Sequence, residues 1–266
     1  MASILAVNDD GIHTEGLARL AECLAPLGEV TVVAPDRERS AASHALTLHR
    51  PLRIREISAG RFAVDGTPAD CVYLGALEIL DRKPDLIVAG INHGSNIGDD
   101  VTYSGTIAAA IEATILGVPS FAISQEARGD VPRGSGRGRF DFANAGVVAQ
   151  AMARRVLDEG LPADILLNVN VPDGPIHGVR CTRQGRRIYD EAVHVGTDPR
   201  GGTYYWIGSG AAPHVDQGSD TDYMAVRTGC VSVCPLHLDM THYRSLEQLR
   251  KRCAEIEDEV AEIVQS

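Results

Sequence analysis

Five short apolar runs, spaced along the first two thirds of the chain, constrain the fold more than any other feature. They are Ile4-Leu5-Ala6-Val7, Val30-Thr31-Val32-Val33-Ala34, Asp85-Leu86-Ile87-Val88-Ala89-Gly90, Ser120-Phe121-Ala122-Ile123-Ser124 and Ile165-Leu166-Leu167-Asn168-Val169. Short runs that are apolar almost throughout, rather than at alternate positions, suit strands covered on both faces. Helical patterns lie between them. Leu17, Leu20, Leu24 and Leu27 recur at helical spacing until Gly28 stops the pattern. Thr67-Pro68-Ala69-Asp70 opens a second helix, with Thr67 as cap, Pro68 in the first turn and Asp70 at the positive helix end. Ser104-Gly105-Thr106 starts an alanine-rich helix that runs to Leu116, and residues 142–157 carry another helical pattern. Residues 52–57 and 62–64 suit a hairpin or edge pair. Buried strands alternating with helices predict an α/β fold with a doubly wound, mostly parallel sheet, Rossmann-like and three-layered.

The pattern changes after Pro172. Residues 178–234 carry turn signals at Asp198-Pro199-Arg200-Gly201-Gly202 and read as an appended β-hairpin region, not a second core. A terminal helix places Leu246, Leu249, Cys253, Ile256, Val260 and Ile263 at three-four spacing. That stripe packs on the body or on another subunit, and the stripe alone favours the body. The 266 residues are therefore expected to form a single domain, 1–266, with 178–266 as a hairpin and helix extension.

A net charge of -11 argues against a nonspecific nucleic-acid binder. Six cysteines at 23, 71, 181, 230, 234 and 253 form no CxxC pair. Cys23, Cys71 and Cys253 fall in apolar helical patterns and read as small buried hydrophobes. Cys230 and Cys234 are a weak metal signal, because Val231-Ser232-Val233 between them looks like strand. No signal peptide or membrane span is legible, and free thiols fit a reducing cytoplasm. Residues 129–139 read as a basic surface loop; Arg128, Arg133, Arg137 and Arg139 would recruit long anions only if they did more than face solvent.

Chemistry-bearing residues cluster where strands end, which is where doubly wound sheets bind ligands. Asn8-Asp9-Asp10-Gly11 places two carboxylates side by side; their repulsion makes a hard cation a natural partner, and a simple turn or helix cap is the plain alternative. In residues 36–44, Ser40 offers a neutral oxygen and His44 a proton donor, or the segment is an ordinary charged loop. In residues 90–106, Asn92 offers a carbonyl oxygen, Asn96 an amide donor, and Ser104-Gly105-Thr106 the free N–H groups of a helix start. Neither a Walker loop nor a dinucleotide glycine fingerprint occurs, which sets aside a dinucleotide oxidoreductase.

These segments together resemble the SurE family of stationary-phase survival nucleotidases. The resemblance is carried by residues 4–11, 33–40, 66–72, Gly90-Ile91-Asn92 and Tyr103-Ser104-Gly105-Thr106. It continues through residues 167–172, Asp198-Pro199-Arg200-Gly201, Tyr205-Trp206-Ile207-Gly208 and Pro235-Leu236-His237, and so covers nearly the whole chain. It implies a 5'-nucleotidase, a divalent-metal phosphomonoesterase acting on nucleoside 5'-monophosphates, with 3'-nucleotides and short polyphosphate as further substrates. By position it implies one Mg²⁺ or Mn²⁺ per subunit on Asp9, Asp10, Ser40 and Asn92. Asn96, Ser104, Gly105 and Thr106 match its phosphate-binding residues. It also implies homodimers or homotetramers with exchanged C-terminal elements, which turns the terminal helix toward oligomer contacts. The chain departs from common family forms at Ser95, where a proline is frequent, and at Ala45, where a serine is frequent.

The expected chemistry is hydrolysis with Asp9 or Asp10 orienting water or taking its proton, and His44 donating to the leaving group. Direct attack by Asp9 to give an aspartyl phosphate is the covalent alternative. The non-enzymatic alternative is a metal-dependent nucleotide-sensing module. A haloacid-dehalogenase-type phosphatase would need Asp-x-Asp, whereas these two aspartates are adjacent.

Overall fold

A computed structural model describes every residue except 128–139, 189–192, 208–213, 216–217 and 266. Arg128, Arg133, Arg137 and Arg139, and Gly208, lie outside the described residues. Met1–Leu236 form one compact unit and His237–Ser266 a second.

The first unit is built on a nine-stranded sheet. Its strands in chain order are β1 (Ala2–Val7), β2 (Gly28–Pro35), β3 (Ile54–Ser58), β4 (Arg61–Val64), β5 (Leu86–His93), β6 (Ser120–Gln125), β7 (Ile165–Val171), β8 (Gly178–Cys181) and, after the hairpin region, β13 (Cys230–His237). In space they run β3-β4-β2-β1-β5-β6-β7-β13-β8. The β1–β2, β1–β5, β2–β4, β5–β6, β6–β7 and β13–β8 pairs are parallel. The expected edge pair is present as antiparallel β3–β4.

Helices α1 (Glu15–Leu24) and α4 (Ala143–Glu159) contact each other, as do α2 (Pro68–Leu74) and α3 (Gly105–Ile115). The two faces of β1 explain this layering. Ile4 and Ala6 join the cluster of Leu17, Leu20, Leu24, Ala145 and Ala149. Leu5 points the other way, its Cδ2 lying 2.8 Å from where a Cβ on Gly75 would be, just after α2. The capping box expected at α2 forms: Thr67 Oγ1 accepts from the Asp70 N–H, and the Asp70 carboxylate accepts from the Thr67 N–H. Ala108, Ala109, Ala110 and Ala113 are buried on α3, where small side chains let the helix lie close to the sheet.

The hairpin expected in the C-terminal third is β10 (Val193–Thr197) paired antiparallel with β11 (Thr203–Ile207); a short β9 (Arg187–Ile188) pairs with β12 (His214–Val215). That stretch contributes more than a hairpin, because β8 and β13 extend the main sheet and α5 (Asp222–Arg227) lies between β12 and β13. The second unit is mainly α6 (Tyr243–Gln265), on which Leu249, Cys253, Ile256 and Val260 are exposed. Cys71 is buried as expected, Cys23 is half-buried, and Cys253 departs from the buried role its spacing suggested.

Leu20 is fully buried between α1 and the sheet. Leu20→Ala should cost about 2–5 kcal/mol of unfolding free energy, read by urea denaturation; a loss below about 1 kcal/mol would contradict this packing.

Candidate active site

Chain order and spatial order reverse between β1 and β5. The chain runs from β1 outward to β2, then crosses back so that β5, β6 and β7 build the other half of the sheet. A doubly wound sheet opens its crevice at the carboxyl ends of the strands flanking such a switch point. Asp9 and Asp10 follow β1, and Asn92 and His93 end β5. The β5–β6 register slips between Ala89 and Asn92, an irregularity that re-aims the last residues of the strand.

The turn after β1 is shaped by Asn8. Its amide donates to Thr14 Oγ1 at 2.8 Å, and its Oδ1 accepts from the Gly11 N–H at 3.2 Å. Gly11 has φ 111, and a Cβ there would lie 3.2 Å from the Arg37 backbone. The following loop is held in turn, because Arg39 N donates to Asp9 O at 2.8 Å.

Asp9 is buried, and Thr106 Oγ1 donates to its Oδ1. Gly105 allows this approach, since a Cβ there would stand 2.8 Å from Asp9 Cβ. Burial, and then the charge of Asp10, push the Asp9 carboxyl up to about 6 against the pull of the Thr106 bond. Asp10 Oδ2 accepts from His93 Nδ1 at 3.0 Å and from His93 N at 3.2 Å. At His93 burial is the largest influence and lowers the imidazole's proton affinity. The hydrogen bond and charge of Asp10, with Asp9 and Glu15, outweigh it and leave the group raised. Among the described residues no lysine or arginine pairs with Asp9 or Asp10.

The other expected residues take five positions. Ser40 lies one residue beyond the bond to Asp9, but it is exposed and its hydroxyl donates to Glu38 Oε1 at 2.7 Å. Asn92 donates its amide nitrogen to Gly94 O at 2.7 Å, which leaves the amide oxygen as its acceptor end. Ser104 caps α3, its Oγ accepting from Ile107 N at 3.1 Å; the Thr106 N–H turns to the Asp9 carboxyl, and the Gly105 N–H stands at the helix start beside it.

His44 meets neither aspartate in the described bonds; its Nε2 pairs with Glu112 Oε2 on α3 at 2.8 Å. The segment is pinned on both sides: Ser43 Oγ donates to Thr102 O at 2.8 Å and Thr47 Oγ1 to Asp70 Oδ2 at 2.6 Å. Asn96 is fixed by a network. Its N–H reaches Asn170 Oδ1 at 2.8 Å, its Nδ2 reaches Ser124 Oγ at 2.9 Å, and its carbonyl accepts from Asn168 and Asn170. Asp222 accepts from Gly98 N at 2.9 Å and Gly185 N at 2.9 Å, tying the loop after β5 to the C-terminal third.

Sequence reasoning missed Glu112, His93, Ser124, Asn168, Asn170 and Asp222. A signal existed for two of them: Asn168 and Asn170 interrupt an otherwise apolar buried strand, and a buried amide needs a partner.

In the folded chain Asp9 holds its proton to higher pH than the ordinary carboxylate value of 3.8. The native state therefore binds more protons than the unfolded state between about 4 and 6, and metal-free stability falls as pH rises through that window. Asp9→Asn should stabilise the protein in EDTA at pH 8 by about 1–3 kcal/mol, a gain shrinking toward zero by pH 4 in unfolding measurements.

Comparison with known proteins follows the same lines. The family model described as survival protein SurE matches residues 4–191. A protein of Syntrophotalea carbinolica named 5'-nucleotidase SurE is 54% identical over 248 residues, covering 93% of this chain and 96% of its own length. A Geobacter sulfurreducens protein of the same name is 52% identical over 251 residues, covering 93% and 92%. A crystal structure of the SurE protein from Aquifex aeolicus superposes with a TM-score of 0.80 at 42% identity, covering 94% of this chain and 98% of that one.

Proposed function

Because this chain belongs to the survival protein SurE family, we infer that it is a 5'-nucleotidase, cleaving the phosphomonoester of nucleoside 5'-monophosphates. Relatives at 52% and 54% identity over 93% of the chain carry that name. The observation that carries the reading is the pairing of Asp9 and Asp10 at the switch point with the open start of α3 beside them. A module that only senses nucleotide has no use for two carboxylates able to manage a proton, and is not favoured.

Family membership implies a divalent cation, and the residues fit one. Two carboxylates without a lysine or arginine partner among the described residues offer hard oxygen ligands, and burial, then the charge of Asp10, raises the Asp9 carboxyl to about 6. Among the described residues no three His, Cys, Asp or Glu side chains cluster as a metal site. Further ligands are therefore neutral oxygens: the Asn92 amide and Ser40, whose loop is bonded to Asp9. One Mg²⁺ or Mn²⁺ suits such a set. When bound, the cation neutralises phosphoryl charge and makes water more acidic.

The chain supplies the rest. The Gly105 N–H, the Ser104 hydroxyl and the second amide hydrogen of Asn96 donate to the phosphoryl oxygens and stabilise charge there as the bond breaks, while Thr106 holds the Asp9 carboxyl beside them. The neighbouring carboxylates orient the attacking water, and one takes its proton. His44, oriented by Glu112, donates to the leaving oxygen. All of these groups address the phosphoryl end, which extends the reading to 3'-nucleotides and short polyphosphate. The exposed apolar residues of α6, with Val195, Tyr205 and Trp206 exposed on the hairpin, support self-association as a homodimer or homotetramer. Among the described residues no helix is long and apolar enough to cross a membrane.

The test is phosphate release from AMP with Mn²⁺. EDTA should abolish it, and Asp9→Asn or Asp10→Asn should lower kcat at least about 100-fold without lowering the unfolding midpoint. His44→Ala should lower kcat roughly 100-fold. Metal-dependent AMP binding without phosphate release would establish the sensor instead.

A further inference from the structure

We propose that His93 is a positioning residue for Asp10, holding that carboxylate in the orientation that receives the cation and thereby setting cation affinity. The proposal rests on the assignment of Asp10 as a cation ligand made above.

His93 grips one oxygen of Asp10 twice. The ring Nδ1 lies 3.0 Å from Oδ2, and the backbone N–H of the same residue reaches Oδ2 at 3.2 Å. Both bonds fall on one oxygen, which leaves Oδ1 for another ligand. Two donors from a single residue, one on the main chain and one on the side chain, define the plane of a carboxylate where a single donor would let it swing. The Nδ1–H donates in the neutral Nδ1 tautomer and in the imidazolium alike, so the grip does not depend on the charge of the ring.

The ring itself is held. Its centroid lies 4.9 Å from that of Phe140 and 5.2 Å from that of Phe142, tilted by 52° and 58°. The two phenyl rings stack on each other at 5.6 Å and 6°. Phe142 is buried in the main hydrophobic cluster with Ile91 and Leu17. The imidazole is thus anchored to the core on one side and presents Nδ1 to Asp10 on the other. Rotamer freedom that would otherwise be lost on cation binding has already been lost in folding. Position along the strand adds to the case. Asn92, a proposed ligand, directly precedes His93, and both follow the register slip in β5. A dipeptide at the switch point therefore supplies one ligand and orients another. Groups that hydrogen-bond a metal's ligands change its affinity by about 10–100-fold when removed.

The test is Mn²⁺ affinity of the full chain by titration calorimetry, with no substrate present. His93→Leu and His93→Asn are close in size but differ in the donor: the Asn amide nitrogen takes the place of Nδ1, and Leu has none. His93→Leu should raise the Mn²⁺ Kd about 10–100-fold, with His93→Asn much nearer the wild type. His93→Phe, which keeps a ring between Phe140 and Phe142 but no donor, should match His93→Leu and keep the unfolding midpoint in EDTA. Equal affinities in the Leu and Asn variants, or wild-type affinity in the Phe variant, would overturn the proposal. Asp10→Asn separates the two levels: undiminished Mn²⁺ binding there removes the ligand assignment itself. Lost binding there, with no effect of His93→Leu, removes only the role of His93.

Discussion

Two carboxylates carried on consecutive residues at the end of a buried strand repel each other, and the surroundings of β1 answer that repulsion. Asp9 is taken out of water and given the Thr106 hydroxyl; Asp10 is given the ring and main-chain donors of His93. The start of α3 is brought within van der Waals distance of Asp9, which only a residue without a Cβ at position 105 allows. A helix N-terminus carries partial positive charge, so its approach eases the crowding of negative charge without satisfying it. What is left over is an appetite for a small hard cation. The loop after β2 and the end of β5 are bonded to the same turn, through Arg39 and His93, so the site is knit together by the groups that manage the charge.

Behind this front lies a polar layer inside the sheet. Ser124 on β6 lies between Asn92 on β5 and Asn170 on β7, Asn168 precedes Asn170 by two residues, and the hydrogen bonds of Ser124, Asn168 and Asn170 converge on Asn96. A buried polar network is rigid when every member is partnered and costly when one is not. Here it fixes the loop after β5 from beneath, while Asp222 fixes it from the side at Gly98. The loop that carries Asn96 and Gly98 is thereby set by contacts spread over nearly half the chain.

The apolar runs made five strands of the central body legible, β1, β2, β5, β6 and β7, because burial on both faces leaves a mark in every residue of a strand. Local chemistry was legible too: Thr67 with Asp70 and Ser104 with Ile107 are caps whose partners lie three residues away. What the sequence concealed was pairing at a distance. Glu112 sits in an alanine-rich helix with nothing nearby to mark it, and its partner His44 is 68 residues earlier. The apolar run ended at Gly90, whereas β5 continues through His93. Cys253 shares the spacing of a buried stripe and is exposed, since periodicity says which residues share a face and not what covers that face. The strand character of 230–234 was visible, but not its place in the main sheet.

That place governs how the molecule can be made. In the sheet β13 lies between β7 and β8, although β8 precedes it in the chain. A ribosome therefore releases β8, the hairpin and α5 before the strand that joins β8 to the rest of the sheet exists. Until then β7 is an exposed edge, and β8 has no neighbour to pair with. Asp222, which steadies Gly98, belongs to the same late segment. The chain can assemble most of its core during synthesis, but the loop after β5 acquires its support at Gly98 only once residue 222 has emerged. The sheet closes last at its centre-to-edge seam, where β13 must enter between β7 and β8.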